Sequence, residues 1–403
     1  MINKVGYLKC FGCILLVISS MIGGGIFALP IVAFKLGIIA TIVLTIFMYI
    51  LMTISGLLVV EVSTKLPPYR NHYTSLAYEA FGMPGKIIAI LAFSVAIYAT
   101  LTAYIGAVPS LIGSSSCNIN LYSCLSPSSM ELLFTGVLAI VLVYSMKYSE
   151  HINRFIMLIK LASLVLVIYL LSKYIDIKSL FVVPINFSGL AEASLIIILA
   201  FSYQSILPSI VSYVGPENKK EIKTIILTGT ILTCVIYLLW IIAVSGFINH
   251  TGESQVFIDK PTLGQLVAII KDNTGDSIAV TALDIFLNVT LFASFLTVSI
   301  AFIDFWIDAL KLNTKVSGRL IAAAIALIPS LIIAMYFDDI FVMALAVSGF
   351  AGIGYSVALP SSVSYKLFDK YNKGGSYFFH GSKRTRGFIF IISIVFMVFA
   401  LIY

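Results

Sequence analysis

Eleven apolar stretches of about 18 residues or more run through this chain without interruption, and no other feature limits its fold as tightly. Their cores lie at about residues 9–34, 38–62, 86–113, 129–147, 153–173, 190–212, 222–247, 279–308, 318–336, 339–362 and 386–403. The stretches are continuous rather than alternating, and each is two to three times the ~10 residues of a tilted membrane strand, which excludes a β-barrel. Eleven helices of ~20 to 25 residues take up ~60% of the 403 residues and leave only loops, so no folded catalytic domain has room. The charge content agrees, at 11% against roughly 25% in a soluble domain. The expected fold is an all-α membrane protein of about eleven transmembrane helices.

The 25 Lys and Arg residues outnumber 18 Asp and Glu, and where they sit decides what the +7 charge means. With the N-terminus in the cytoplasm, every basic residue except Lys35, Lys173, Lys178, Lys260 and Lys271 falls inside or near the inner face. This bias predicts a cytoplasmic N-terminus and an external C-terminus, and it accounts for the charge without a nucleic-acid partner. The first apolar segment is too long for a cleaved leader, lacks a small-x-small cleavage pattern and reaches Pro30, so it is expected to stay in the chain. Cys117 and Cys124 fall in the outer loop after the third span, where either a disulfide or two free thiols fits. Cys10 and Cys13 form a CxxC with no second pair or histidine cluster, which reads as incidental. With no HExxH, no GxSxG and four scattered histidines, no enzyme chemistry, metal or cofactor is expected.

The most informative residues interrupt the helices. Ser19-Ser20-Met21-Ile22-Gly23-Gly24-Gly25 lies in the middle of the first span, and each glycine costs a helix about 1 kcal/mol relative to alanine. Unwound backbone at membrane depth needs protein or a cavity to satisfy its freed groups, so the run predicts a polar cavity. The half-helix beyond it would aim its N–H groups there, which suits a carboxylate. Close helix packing of the small-xxx-small kind is the competing reading, and it explains three successive glycines less well. Five spans later, Phe201-Ser202-Tyr203-Gln204-Ser205 is polar within an apolar run and is followed by Pro208, which favours a kink. An ordinary proline kink with Ser and Gln bonding back to the helix is the alternative there. Paired interruptions in two halves point to a transporter site. Because five is odd, a repeat of five spans inverts its topology. The expected halves are residues 1–175 and 186–370, with residues 384–403 as an added eleventh helix.

Met21 to Pro30, MIGGGIFALP, resembles the first-span signature of the tryptophan and tyrosine permeases, in the hydroxy and aromatic amino acid permease family of the amino acid, polyamine and organocation superfamily. The likeness continues at Ser55-Gly56-Leu57-Leu58 with Glu61, at Tyr98 and Ala103-Tyr104-Ile105, at Ile159-Lys160-Leu161, at Ile206 to Ile210, and at Asp304 with Asp308. It implies a leucine-transporter-type fold of five plus five inverted spans with discontinuous helices 1 and 6. It also implies import of amino acids, aromatic ones first, across the cell membrane by alternating access with proton coupling. The sixth span departs from the family's pattern, having Gln204 in place of a histidine and Ser202 and Ser205 in place of glycines. Sodium-coupled or exchange transport of small or hydroxy amino acids is therefore the alternative. A sensor or channel on the same bundle is a further one, although the loops are too short for a signalling domain.

In the mechanism this implies, amides of Gly23, Gly24 and Gly25 bind the substrate carboxylate, and carbonyls of Ser20, Met21, Phe201 and Ser202 accept from its ammonium. Tyr98, Phe201, Tyr203 and Gln204 would form the side-chain pocket, with helix packing as the competing role for each. Lys160 lies ~12 Å of helix rise into the fifth span, where facing lipid would cost ~2.5 to 3.5 kcal/mol. In proton-coupled relatives of this fold, a lysine there stands where sodium sits in sodium-coupled ones. Carried onto Lys160, this implies an ammonium bridging the carbonyls near Ser19 to Ser294 or Thr297, and snorkelling to lipid head groups is the alternative. Glu61 either relays protons or, the preferred reading, pairs with Lys65. Asp284, Asn288, Asp304 and Asp308 lie near the interfaces, where solvation is expected. The partners expected are the amino acid substrate and membrane lipid.

Overall fold

Among the described residues every regular element is a helix, as hydrocarbon requires of a chain that must satisfy its backbone within each segment. The computed structural model describes residues 6–66, 73–115, 126–144, 149–175, 183–259, 261–313, 315–371 and 382–402. Cys117 and Cys124, and with them the disulfide question, lie outside these residues, as does the side chain of Asp308.

In chain order, α1 (Tyr7–Met21) and α2 (Gly25–Leu36) share the first apolar run and meet at a bend of 51°. One residue, Gly37, then joins α2 to α3 (Ile38–Ser63), at a φ of 105° that glycine alone adopts without strain. Next come α4 (Tyr73–Gly106), α5 (Val108–Ser115), α6 (Pro127–Tyr144) and α7 (Ser149–Leu171). The run from 190 is again divided, into α8 (Leu190–Ala200) and α9 (Leu207–Val214), with the tight turn Gln204–Ile206 between them. It too ends at a left-handed glycine, Gly215, with φ 101°. Then follow α10 (Lys219–Thr251), the short α11 (Ser254–Asp259) and α12 (Leu263–Thr274), α13 (Ser277–Ala309), α14 (Val316–Tyr336) and α15 (Phe341–Ile353). A π-helical segment, Gly354–Ala358, joins α15 to α16 (Leu359–Tyr371), and α17 (Lys383–Ile402) completes the chain.

Among the described residues nine helices are long and apolar enough to cross a membrane, or ten with α1 and α2 taken as one span. Eleven were expected. The difference is the stretch at 129–147, where the apolar helix Pro127–Val143 is shorter than the others and residues 145–148 lie outside those described. The multi-pass membrane fold is therefore established, with two discontinuous helices.

The discontinuous helices are the centre of the bundle. Residues 24 to 34 are all buried, and α2 packs on α3, α8 and α10. A helix apolar all round belongs in such a place. The approach of α2 to α8 is close: a Cβ on Gly25 would lie 3.2 Å from Ala200 Cα. Close packing thus explains Gly25, the reading set second for the glycine run.

Charges at the helix ends differ from expectation. Glu61 meets Arg386, not Lys65: both carboxylate oxygens lie 2.8 Å from the buried guanidinium, which also donates from Nε to Ser364 Oγ at 2.9 Å. The reason is that α3 ends at Ser63, so Lys65 lies beyond the helix and off its face. Asp284 is paired with Lys271 at 2.6 Å rather than merely solvated, whereas Asp304 lies 3.7 Å from Arg319 and stays half exposed, as expected.

Candidate functional site

The C-terminal ends of α1 and α8 meet inside the bundle, and Tyr237 of α10 stands between them. Its hydroxyl is 2.7 Å from Met21 O and 2.8 Å from Ala200 O, so its single proton serves one of the two carbonyls at a time. One turn on, Trp240 donates Nε1–H to Ile26 O at 2.9 Å, fixing the first turn of α2. Neither was anticipated. A sequence signal exists, because a tyrosine and a tryptophan in the middle of a span carry O–H and N–H groups that need partners there.

Lys160 of α7 is buried, and its ammonium donates to Ile22 O at 2.6 Å and Ser19 O at 3.4 Å. Both carbonyls are freed by the interruption after Met21, and a cation at the C-terminal end of α1 also opposes that helix's dipole. Ser294 and Thr297 border the same cavity as Lys160, and Thr297 Oγ1 donates back to Ala293 O at 2.8 Å.

At the glycine run the Gly23 N–H turns back onto Met21 O at 2.8 Å, so it is not directed to a ligand. The Gly24 N–H points at Tyr104 Oη, 3.4 Å away, and this long bond is weak enough to exchange. A Cβ on Gly24 would stand 2.3 Å from the Tyr104 ring. Tyr104 is buried and also hydrogen-bonds Ser294. It was legible only as part of a family likeness, not as a site residue.

A cavity of about 470 Å³ leads to this point. It is bordered by Ser19 and Ser20 of α1, by Gly23, Tyr104 and Lys160, by Ser205 and Ser209 at the second break, and by Ser294 and Thr297 of α13. It extends along α1 to Cys13 and Leu16 and along α9 to the exposed Tyr213, so its mouth is at the N-terminal end of α1. On the far side Phe27 meets Phe286 edge-on at 5.6 Å and lies 6.5 Å from Phe341. Phe341 borders a second cavity of about 440 Å³, which holds Lys35, Glu192 and Asp339.

Four of the expected pocket residues point elsewhere. Tyr203 and Gln204 turn into α3, where Gln204 Nε2 donates to Met52 O at 3.3 Å and Tyr203 Oη to the same carbonyl at 3.5 Å. Gln204 Oε1 also accepts from the Tyr203 N–H, the local bonding of the kink alternative. Phe201 is held between Tyr49 and Tyr237. Tyr98 donates to Ile325 O at 3.0 Å and stands edge-on to Phe302, outside the cavity lining. Ser202 Oγ is 2.9 Å from Ser356 Oγ in the π segment, and Ser55 donates to Ser356 O. The Met21 carbonyl, expected to face an ammonium, is within reach of Tyr237 instead. Among the described residues no three His, Cys, Asp or Glu side chains group as a metal site.

Residues 7–400 match the tryptophan/tyrosine permease family. The chain is 30% identical to tyrosine-specific transport system 1 of Haemophilus influenzae, over 89% of this chain and 88% of that protein. It is 27% identical to tyrosine-specific transport system 2 of the same organism, over the same shares. Against the tryptophan-specific transport protein of Haemophilus influenzae it is 22% identical, over 95% of this chain and 93% of that one. The chain belongs to the tryptophan/tyrosine permease family and is an amino acid transport protein of the membrane.

Proposed function

We propose that this permease imports an aromatic amino acid, tyrosine first, together with a proton, by alternating access around the meeting point of its two broken helices. The observation that carries the reading is a cavity that ends on interrupted backbone at Gly23, with a lysine ammonium on the freed carbonyls beside it. The Gly24 amide, with the hydroxyls of Tyr104 and Ser294, suits the substrate carboxylate. The Ser20 carbonyl at the end of α1, beside the cavity, suits its ammonium. The hydroxyls of Ser205, Ser209 and Thr297 offer partners to a phenol, which favours tyrosine over an indole. The names of the two tyrosine-specific relatives favour the same substrate.

Coupling follows from charge. The protonated Lys160 ties α7 to the end of α1 through charge-assisted bonds, worth about 1.5 to 3 kcal/mol. The neutral amine binds those carbonyls weakly, so gain and loss of the proton tightens and releases α1. An ammonium on Ser19 O and Ile22 O competes with sodium for those carbonyls, which supports proton coupling.

The architecture we propose is the five-plus-five inverted repeat, residues 1–175 and 186–370, with α17 outside it. The like endings support this, since α2 and α9 each close at a glycine near φ 100°, Gly37 and Gly215, before a long helix. With the N-terminus cytoplasmic, the cavity opens inward and the Phe27–Phe286–Phe341 layer closes the outer path. The test is uptake of labelled tyrosine, tryptophan, serine and alanine into proteoliposomes under separate proton and sodium gradients. Tyrosine accumulation driven by the proton gradient alone is expected. Accumulation that needs sodium would replace the coupling reading, and no uptake of any of the four would end the substrate reading.

A further inference from the structure

The hydroxyl groups that could meet a phenol in the cavity differ in what stands behind them. Thr297 Oγ1 gives its proton back to Ala293 O within its own helix, at 2.8 Å. Ser209 and the exposed Tyr213 follow Ser205 at one-turn spacing toward the mouth, so Ser205 is the innermost of the three along α9. Ser205 is exposed to the cavity, yet it is tied to a buried group of another element. The Tyr355 side chain hydrogen-bonds both the side chain and the backbone of Ser205.

Tyr355 belongs to the π segment and lies outside the cavity lining. Its ring is buried, 5.6 Å from Phe93 of α4, which lies in turn 5.5 Å from Phe305 and 6.4 Å from Phe302 of α13. The next residue, Ser356, has its Oγ 2.9 Å from Ser202 Oγ. Consecutive residues of a regular α-helix point ~100° apart and do not face one neighbour. The wider turn of the π segment brings both onto the second break, where they hold the two serines that flank Tyr203 and Gln204.

Held at backbone and side chain together, Ser205 keeps one orientation. Its hydroxyl has one donor and two acceptor sites, so the bond to Tyr355 leaves others for a ligand. A hydrogen-bonding group fixed in this way discriminates against a ligand without the matching hydroxyl, because the group is then left unpaired. We infer, on the proposed reading that tyrosine is carried, that Tyr355 is a positioning residue for substrate choice. It sets Ser205 Oγ to bond the substrate's phenol, and through Ser205 it selects hydroxyphenyl over phenyl amino acids.

The test measures uptake of labelled tyrosine and phenylalanine, which differ only in the phenol oxygen, by the full chain in proteoliposomes. One neutral hydrogen bond carries about a tenfold preference, so the wild-type KM for phenylalanine should stand about tenfold above that for tyrosine. Tyr355→Phe keeps the ring against Phe93 and should raise the tyrosine KM until the two values meet, without lowering the maximal rate for phenylalanine. Ser205→Ala should lose the same preference, and the double variant should lose no more than either. Equal losses for both amino acids in Tyr355→Phe would show a merely structural role and overturn the inference. A preference kept in that variant, or losses that add in the double variant, would overturn it as well. Absence of tyrosine uptake by the wild-type chain would end the substrate reading and this inference with it.

Discussion

The contacts of Lys160 and of Gly24 at the first break each make a prediction. Replacing Lys160 by Met keeps the volume and removes the ammonium from Ile22 O and Ser19 O. Uptake by Lys160→Met should no longer rise with an inward proton gradient, as measured in proteoliposomes, and retained proton dependence would put the coupling group elsewhere. At Gly24 any Cβ meets the Tyr104 ring at 2.3 Å, so Gly24→Leu should lose tyrosine binding while the protein still inserts. Unchanged binding by calorimetry would remove the carboxylate assignment. Tyr237→Phe leaves the buried Met21 and Ala200 carbonyls without their shared donor. A cost of about 1 to 3 kcal/mol is expected, visible as a lower melting temperature in detergent together with slower uptake.

Between elements, polar contacts add to close packing in setting the specific arrangement, because burial of apolar surface alone distinguishes little between lipid and protein interior. The Glu61–Arg386 pair ties α17 to α3, and Ser364 adds α16. Arg386→Leu removes the guanidinium from both oxygens of Glu61 and should cost about 3 to 5 kcal/mol, whereas adding Glu61→Leu should recover most of that loss. Thermal unfolding of the two variants distinguishes this from simple loss of packing, which would make them equally unstable. The π segment does comparable work at the second break, where its widened turn presents Ser356 to both Ser55 and Ser202.

For the whole molecule the asymmetry of the two cavities is what matters. One reaches the glycine run from the N-terminal end of α1, and the other stops at Phe341. In the inward-open reading, Ser209→Cys should react with a membrane-impermeant thiol reagent applied from the cytoplasmic face of oriented vesicles, and excess tyrosine should slow it. Faster labelling from the opposite face would reverse the orientation.

The chain's own residues determined an all-helical membrane bundle, since long apolar runs permit nothing else, and they marked both interruptions, since glycine and proline act on the backbone locally. MIGGGIFALP also carried the family. Tertiary structure alone decided which side chains face the cavity. On a membrane helix, lipid-facing and protein-facing sides are both apolar, so periodicity does not reveal the rotation of each helix. Tyr203 and Gln204 turned into α3, Tyr104 and Tyr237 arrived from distant helices, and Arg386 crossed from the last helix to Glu61. Each of those placements depends on how neighbouring helices pack, which no local pattern of residues encodes.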